Sequence, residues 1–287
     1  MLTNFDRVLL VLDDLDRQAV EVEGKSVDAS VKSRLNSLSS AYSMLMNVDR
    51  SPIDYSSADT QIAYSFRCLA SHGDLLYRTL SSAKSAVLKA VGGGSIKIAC
   101  IGGGPGSDAL GFIKFAERNG LEKRKIKFVF LDYEAAWKTV RDALFATFGE
   151  TSYTRKSVKT DLALGAPWAD SWSFNDADIF TFSFALSEVW AFDAAGGSVS
   201  KFIDRLISGA RAGALFVYVD NGGDAFLPLA EKAIAERSDI VEVFSEDDTW
   251  MLIGGDEEKS TLNKYSARYD QSPKITGNVN RRIWKKI

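Results

Sequence analysis

Apolar positions in the first ninety residues recur at helical spacing. Leu9, Leu12, Leu15 and Ala19 fall on one helix face, and Val31, Leu35, Leu38, Tyr42, Leu45 and Met46 repeat the pattern. Ser51 before Pro52 interrupts it, because a residue preceding proline is biased away from the α region. A long helix is then predicted over 58–90, with a break at Gly73 and with Ile62, Phe66, Leu69, Leu76, Leu80 and Val87 among its apolar members. Gly92-Gly93-Gly94 ends this part as a flexible link.

From Ile96 the period changes. Short apolar runs at 96–101, 127–131, 177–184 and 214–219 read as strands, with a weaker one inside 152–164. Helices are predicted between them at 109–119, 137–148, 198–208 and 227–237. The pieces at 240–244, 250–253 and 282–284 are the last strand-like segments. Short apolar strands alternating with helices imply a parallel sheet covered on both faces. Terminal strands without a full crossover helix imply an antiparallel addition at one edge.

Composition changes this picture little. Apolar residues make up 46 % and charged residues 25 % of 287, with 5 prolines, enough to bury a substantial core. A formal net charge of -3 supplies no global positive field for nucleic acid or anionic lipid. Cys68 and Cys100 lie in apolar surroundings, as buried thiols of a reducing compartment do, and one histidine with two cysteines makes a poor zinc set. The early segment Asp13-Asp14-Leu15-Asp16 is unlike a secretory signal, and no run approaches the roughly 20 apolar residues of a membrane span. A cytoplasmic protein with no membrane partner is the expectation. The acidic run Asp256-Glu257-Glu258 reads as a solvated loop.

Candidate chemistry centres on Gly102-Gly103-Gly104-Pro105-Gly106-Ser107-Asp108, between a strand and a helix. Ligands of open α/β sheets bind at the carboxyl ends of strands, where this turn stands. Glycines at 102, 104 and 106 allow tight turning and close approach to a ligand. The spacing is G-x-G-x-G, Pro105 has no N–H, and Asp108 adds negative charge where a pyrophosphate would lie. These features disfavour a dinucleotide and suit a cationic cofactor with an amino group, which Asp108 would hold; its alternative is an ordinary acid at a helix start. Asp132 ends the second strand, where a carboxylate accepts ribose hydroxyls; its alternative is a helix N-cap. Tyr133 beside it would cover the adenine or ribose edge, or pack at the sheet rim.

On these residues the chain resembles the class I S-adenosylmethionine-dependent methyltransferase superfamily. Residues 98–106 match its glycine motif, including Gly102, Gly103, Gly104 and Gly106, and Asp132 matches its ribose-binding acid. The order of elements agrees from Ile96 onward, about two thirds of the chain. The resemblance implies a Rossmann-like α/β fold, a seven-stranded mostly parallel sheet with an antiparallel edge addition. A helical N-terminal extension or lid (1–94) would precede the methyltransferase-like domain (95–287). It also implies S-adenosylmethionine as cofactor, with Asp161 bonding the adenine amino group, Leu162 lining the ring, and Ser183 in Phe182-Ser183-Phe184 bordering cofactor and substrate. The turn is similar to that of poorly characterised methyltransferase-like proteins with helical N-terminal extensions. The Asn-Pro-Pro-aromatic sequence of amino methyltransferases is missing, and Cys100 lies within a strand, unlike the cysteine of cytosine C5 methyltransferases.

Methyl transfer needs positioning above all, and a base when the nucleophile arrives protonated. Glu188 and Asp220, beyond the fourth and fifth strands, are the candidate catalytic acids; each has capping or solvation as its alternative. Tyr64 and Arg67 share a helix face and would reach the cofactor carboxylate if that helix lids the pocket; packing and a surface ion pair are their alternatives. His72 reads as structural rather than as the base. Trp168, Trp172, Trp190 and Phe192 would form an apolar substrate wall, or a core or interface against the N-terminal helices, and the segment near Trp190 is a candidate interface with another copy or partner protein. Asn278 and Arg281 belong to a basic tail that reads as the exposed face of an edge strand rather than a nucleic-acid contact. The reading is therefore methyl transfer to an unidentified O, N or S nucleophile, with a small-molecule acceptor favoured. A catalytically silent relative and, further off, an NAD-dependent oxidoreductase are the alternatives.

Overall fold

The computed structural model describes residues 2–24, 26–149, 153–163, 174–193, 198–223, 225–253 and 259–287. Its centre is a seven-stranded sheet of order β3-β2-β1-β4-β5-β7-β6. The first five strands, β1 (Ile96–Ile101), β2 (Ile126–Asp132), β3 (Tyr153–Lys159), β4 (Ile179–Ser183) and β5 (Leu215–Asn221), pair in parallel. β7 (Thr276–Lys286) runs antiparallel between β5 and β6 (Ile240–Leu252). This is a Rossmann-like arrangement, a mostly parallel sheet with an antiparallel edge and a helical N-terminal extension.

Alternation along the inner strands feeds two cores, as the period-2 geometry of a strand requires. Ile98 and Cys100 join the core on one face, Ala99 and Ile101 the core on the other. The first core takes in α1 (Asn4–Glu23), α2 (Asp28–Ser43), α3 (Ala58–Tyr64), α4 (Ala70–Ser82) and α5 (Lys84–Ala90), with α6 (Ser107–Arg118), α7 (Trp137–Ala146) and α11 (Asn263–Tyr269). Residues on both sides of position 94 thus meet in one hydrophobic core. The second core packs α9 (Ser198–Gly209) and α10 (Leu227–Ala230) against the opposite face. α8 (Leu186–Asp193) follows β4 directly.

Several elements differ from the sequence expectation. Gly73 does not break its helix: α4 passes through it, and the interruptions are a π turn at Ser65–Leu69 and a stop at Ala83. Gly73 and Gly111 let α4 and α6 meet closely: a Cβ on Gly111 would lie 2.4 Å from the Gly73 carbonyl oxygen, and one on Gly73 3.0 Å from the Leu110 side chain. The pieces at 240–244 and 250–253 are one strand, β6, continued through register shifts at Glu242/Phe244 and Glu246/Thr249. Nor is the basic tail an exposed edge: β7 lies inside the sheet, and Arg281 and Arg282 are buried. Their charges are met by acids of β6, Arg281 by Glu246 and Arg282 by Asp247.

Among the described residues no helix is long and apolar enough to cross a membrane. Both cysteines are buried and unpaired. Trp168, Trp172 and the run at 256–258 lie outside the described residues.

Candidate active site

The turn after β1 is held by its own backbone geometry. Gly102, Gly104 and Gly106 have φ of +61°, +43° and +102°, a region that L side chains rarely adopt. Space closes off as well: a Cβ on Gly102 would lie 2.7 Å from Cβ of Ala185, and one on Gly103 2.7 Å from the Phe130 ring. Asp132 ties the turn to β2. Its Oδ2 accepts the Gly104 N–H at 2.7 Å and its Oδ1 accepts the Glu134 N–H at 2.9 Å. From the other side Arg141 of α7, buried over the Phe130 ring, donates to the Gly104 carbonyl at 2.7 Å. Burial pushes the Asp132 carboxyl up, while the two amides and Arg141 pull it back. Each carboxylate oxygen keeps a lone pair for a ligand.

Above this turn opens a cavity of about 770 Å³. Gly102, Gly104 and Asp132 form its floor on the β1 side, and Tyr133, Asp161, Leu162 and Ser183 border it from the ends of β2, β3 and β4. Tyr64 reaches it from α3, packed edge-on against Tyr55 and Trp137. The lining charges are lopsided: Asp54, Asp132, Glu134, Asp161 and Glu188 supply carboxyls, and Arg50 is the lone Lys or Arg among the described lining residues. Tyr133 is exposed at the rim, with the Lys159 ammonium 5.3 Å from its ring centre. Asp161 accepts the Ala163 N–H at 2.9 Å.

Glu188 stands on the far wall. It accepts the Tyr55 hydroxyl at 2.9 Å and, more weakly, the Tyr42 hydroxyl at 3.4 Å. Arg50 donates to its backbone carbonyl and stacks on Phe192. Burial, with Asp132 and Asp220 nearby, pushes the Glu188 carboxyl up to about 7, against the hydrogen bond from Tyr55. A carboxyl in that range serves as a general base near neutral pH.

Beyond Glu188 lies a second cavity of about 330 Å³. Tyr64, Phe184 and Glu188 belong to the walls of both. Phe184 is held with φ +55°, a conformation costing about 1–3 kcal/mol for a non-glycine residue and concentrated at functional sites. Its N–H donates to Val219 O at 2.8 Å, and His72 stacks on its ring at 3.7 Å. His72 is buried, and burial lowers its pKa well below the ordinary value, so it stays neutral.

Five residues singled out from the sequence fall elsewhere. Gly103 and Gly106 shape the turn without lining the cavity. Asp108 does not line the cavity; it is buried near Thr181, and burial pushes its carboxyl up to about 8. Arg67 does not line the larger cavity; it joins Tyr64 only in the wall of the second one. Asp220 lines neither cavity: buried in β5, it accepts the Ser187 N–H at 2.9 Å and the Asn221 N–H at 2.8 Å, so it caps the first turn of α8. Arg141 and the two hydroxyl partners of Glu188, Tyr42 and Tyr55, are not marked as site residues by any local sequence pattern. Their only sequence signal is the tyrosines flanking Pro52 and an arginine on the helix after Asp132.

No protein-family model and no curated protein sequence matches the chain. Among solved structures it is similar to the plantazolicin methyltransferase BpumL in complex with SAH, at 12 % identity, over 90 % of this chain and 100 % of that one, with a TM-score of 0.42. It is similar to loganic acid methyltransferase with SAH, at 10 % identity over 77 % and 96 %, with a TM-score of 0.45. The [4+2]-cyclase SpnF gives 12 % identity over 71 % and 80 %, with a TM-score of 0.38. Likenesses of this size speak to neither reaction nor substrate.

Proposed function

We propose that the chain binds S-adenosylmethionine in the larger cavity and catalyses methyl transfer to an acceptor beyond Glu188. The observation that carries this reading is the five-to-one excess of carboxyls over cations around a glycine cradle. Such a wall attracts a ligand with sulfonium and ammonium charges, and it repels a pyrophosphate. Asp132 retains acceptor capacity for two ribose hydroxyls, and Leu162 with the edge of Asp161 provides an apolar slot and a polar partner for adenine. Asp108 is outside the cavity, so the ammonium is assigned to the facing carboxyls instead.

When bound, the cofactor supplies an electrophilic methyl carbon, whose bond to sulfur breaks with the electron pair left on sulfur as the acceptor bond forms. The residues of this chain do the rest. Tyr64, Phe184 and Glu188 stand where the two cavities meet, so the first two fix the line of approach and Glu188 takes the acceptor proton. Asp220 holds the start of α8 and hence the position of Glu188.

Thermal unfolding with added ligand tests the reading. S-adenosylhomocysteine at 100 times its Kd adds about 2.7 kcal/mol and raises the midpoint by a few degrees. A rise with NAD and none with S-adenosylhomocysteine contradicts it.

A further inference from the structure

The two cavities have opposite electrostatic character. Around the second, Arg67 and Lys274 are the cationic side chains and Glu188 is the acid. Neither cation forms a salt bridge with a carboxylate among the described residues, although Lys274 is near enough to Asp220 to pull its carboxyl down. Arg67 donates to the amide oxygen of Gln271 at 3.3 Å, and the Lys274 ammonium stands 5.4 Å from the centre of the Phe184 ring. The two are joined through the main chain, where the Lys274 N–H donates to the Arg67 carbonyl at 2.8 Å. Glu188 is already engaged by Tyr55 and Tyr42, so it leaves both cations available to a ligand.

Size and walls narrow the ligand further. At about 30 Å³ per water-sized group the cavity has room for roughly ten such groups. Tyr64, Phe184 and Phe226 bring aromatic side chains to the wall, an apolar lining that suits a ring.

We propose that the second cavity takes the methyl acceptor and that the acceptor is a small aromatic hydroxy acid, its carboxylate at Lys274 and Arg67 and its hydroxyl towards Glu188. This rests on the methyl-transfer reading for its chemistry. The phenolic oxygen forms the new O–CH₃ bond, the methyl carbon–sulfur bond breaks, and the phenolic proton passes to the Glu188 carboxylate. Recognition of the acid itself requires only the second cavity, so it is measurable without cofactor.

The probe is 4-hydroxybenzoate, titrated calorimetrically into the intact protein without cofactor, beside its uncharged methyl ester. The acid binds at least tenfold more tightly than the ester, Lys274→Met removes that preference, and Lys274→Arg restores most of it. Equal binding of acid and ester, no binding of either, or a preference unchanged in Lys274→Met overturns the proposal. A separate titration with S-adenosylhomocysteine distinguishes the two failures. If it binds while the acid shows no preference, the acceptor assignment alone is wrong. If it does not bind while the acid preference holds, the cofactor reading is wrong, and the second cavity remains an organic-acid site.

Discussion

Glu188 shows how position decides what a carboxyl does. It shares a wall with both cavities, its charged form is disfavoured by burial, and one tyrosine hydroxyl partly restores that form. As a base it must be deprotonated, so kcat/KM rises with pH through about 7 and then levels. Glu188→Gln removes this limb and lowers kcat about 100-fold. Tyr55→Phe takes away a donor to the carboxylate, so it shifts the limb to higher pH, and pH–rate profiles of the three proteins check both outcomes. Asp108 makes a prediction of a different kind, about stability. Its carboxyl ionises near 3.8 in the unfolded chain and at about 8 in the folded one, so folding favours the protonated form. Its contribution is full below about pH 4 and is lost as pH rises towards 8, because the unfolded chain releases the proton first. Asp108→Asn therefore gains stability relative to the parent between pH 4.5 and pH 8, by more than about 1 kcal/mol, in urea unfolding at the two pH values. Parallel pH dependence in the two proteins contradicts this.

Among the elements, those with continuous apolar runs were legible in sequence and those that depend on distant partners were not. The strands β1, β2, β4 and β5 are buried on both faces, so each appears as a short apolar block. α8 has only eight residues, and its first turn is capped by Asp220 from β5, a contact that no local pattern reveals. α11 is shorter still and is tied to α1 by Arg268 on Asp16 at 2.9 Å and by the Tyr265 hydroxyl on Asp13 at 2.7 Å. The acids of α1, which locally look like solvated charge, thus find their partners some 250 residues away. β6 read as two pieces because Asp247 and Asp248 resemble a turn, yet they sit at a bulge against β7. The crossing of α4 and α6 gives the prediction at this scale. Gly111→Ala drives a methyl against the Gly73 carbonyl and destabilises the fold by about 1–3 kcal/mol, whereas Gly93→Ala, with nothing near its Cβ, is close to neutral in the same unfolding measurement.

At the scale of the molecule the site depends on elements from both ends of the chain. The glycine turn and Asp132 come from the parallel sheet, Tyr55 from the segment leading into α3, Tyr64 from α3, and Lys274 from the approach to β7. The glycine turn and Asp132 were readable because they are neighbours in one strand–helix–strand unit. The sign of each cavity was not, since the net charge of -3 averages over an acidic pocket and a basic one. The proposed function places a cationic nucleoside in the acidic cavity with its ribose on Asp132. Calorimetric titration of S-adenosylmethionine into the parent protein and Asp132→Ala tests it most directly, with NAD as the comparison. The expected result is S-adenosylmethionine binding to the parent, binding at least tenfold weaker in Asp132→Ala, and no measurable heat with NAD. Unchanged affinity in Asp132→Ala, or binding of NAD in place of S-adenosylmethionine, contradicts it.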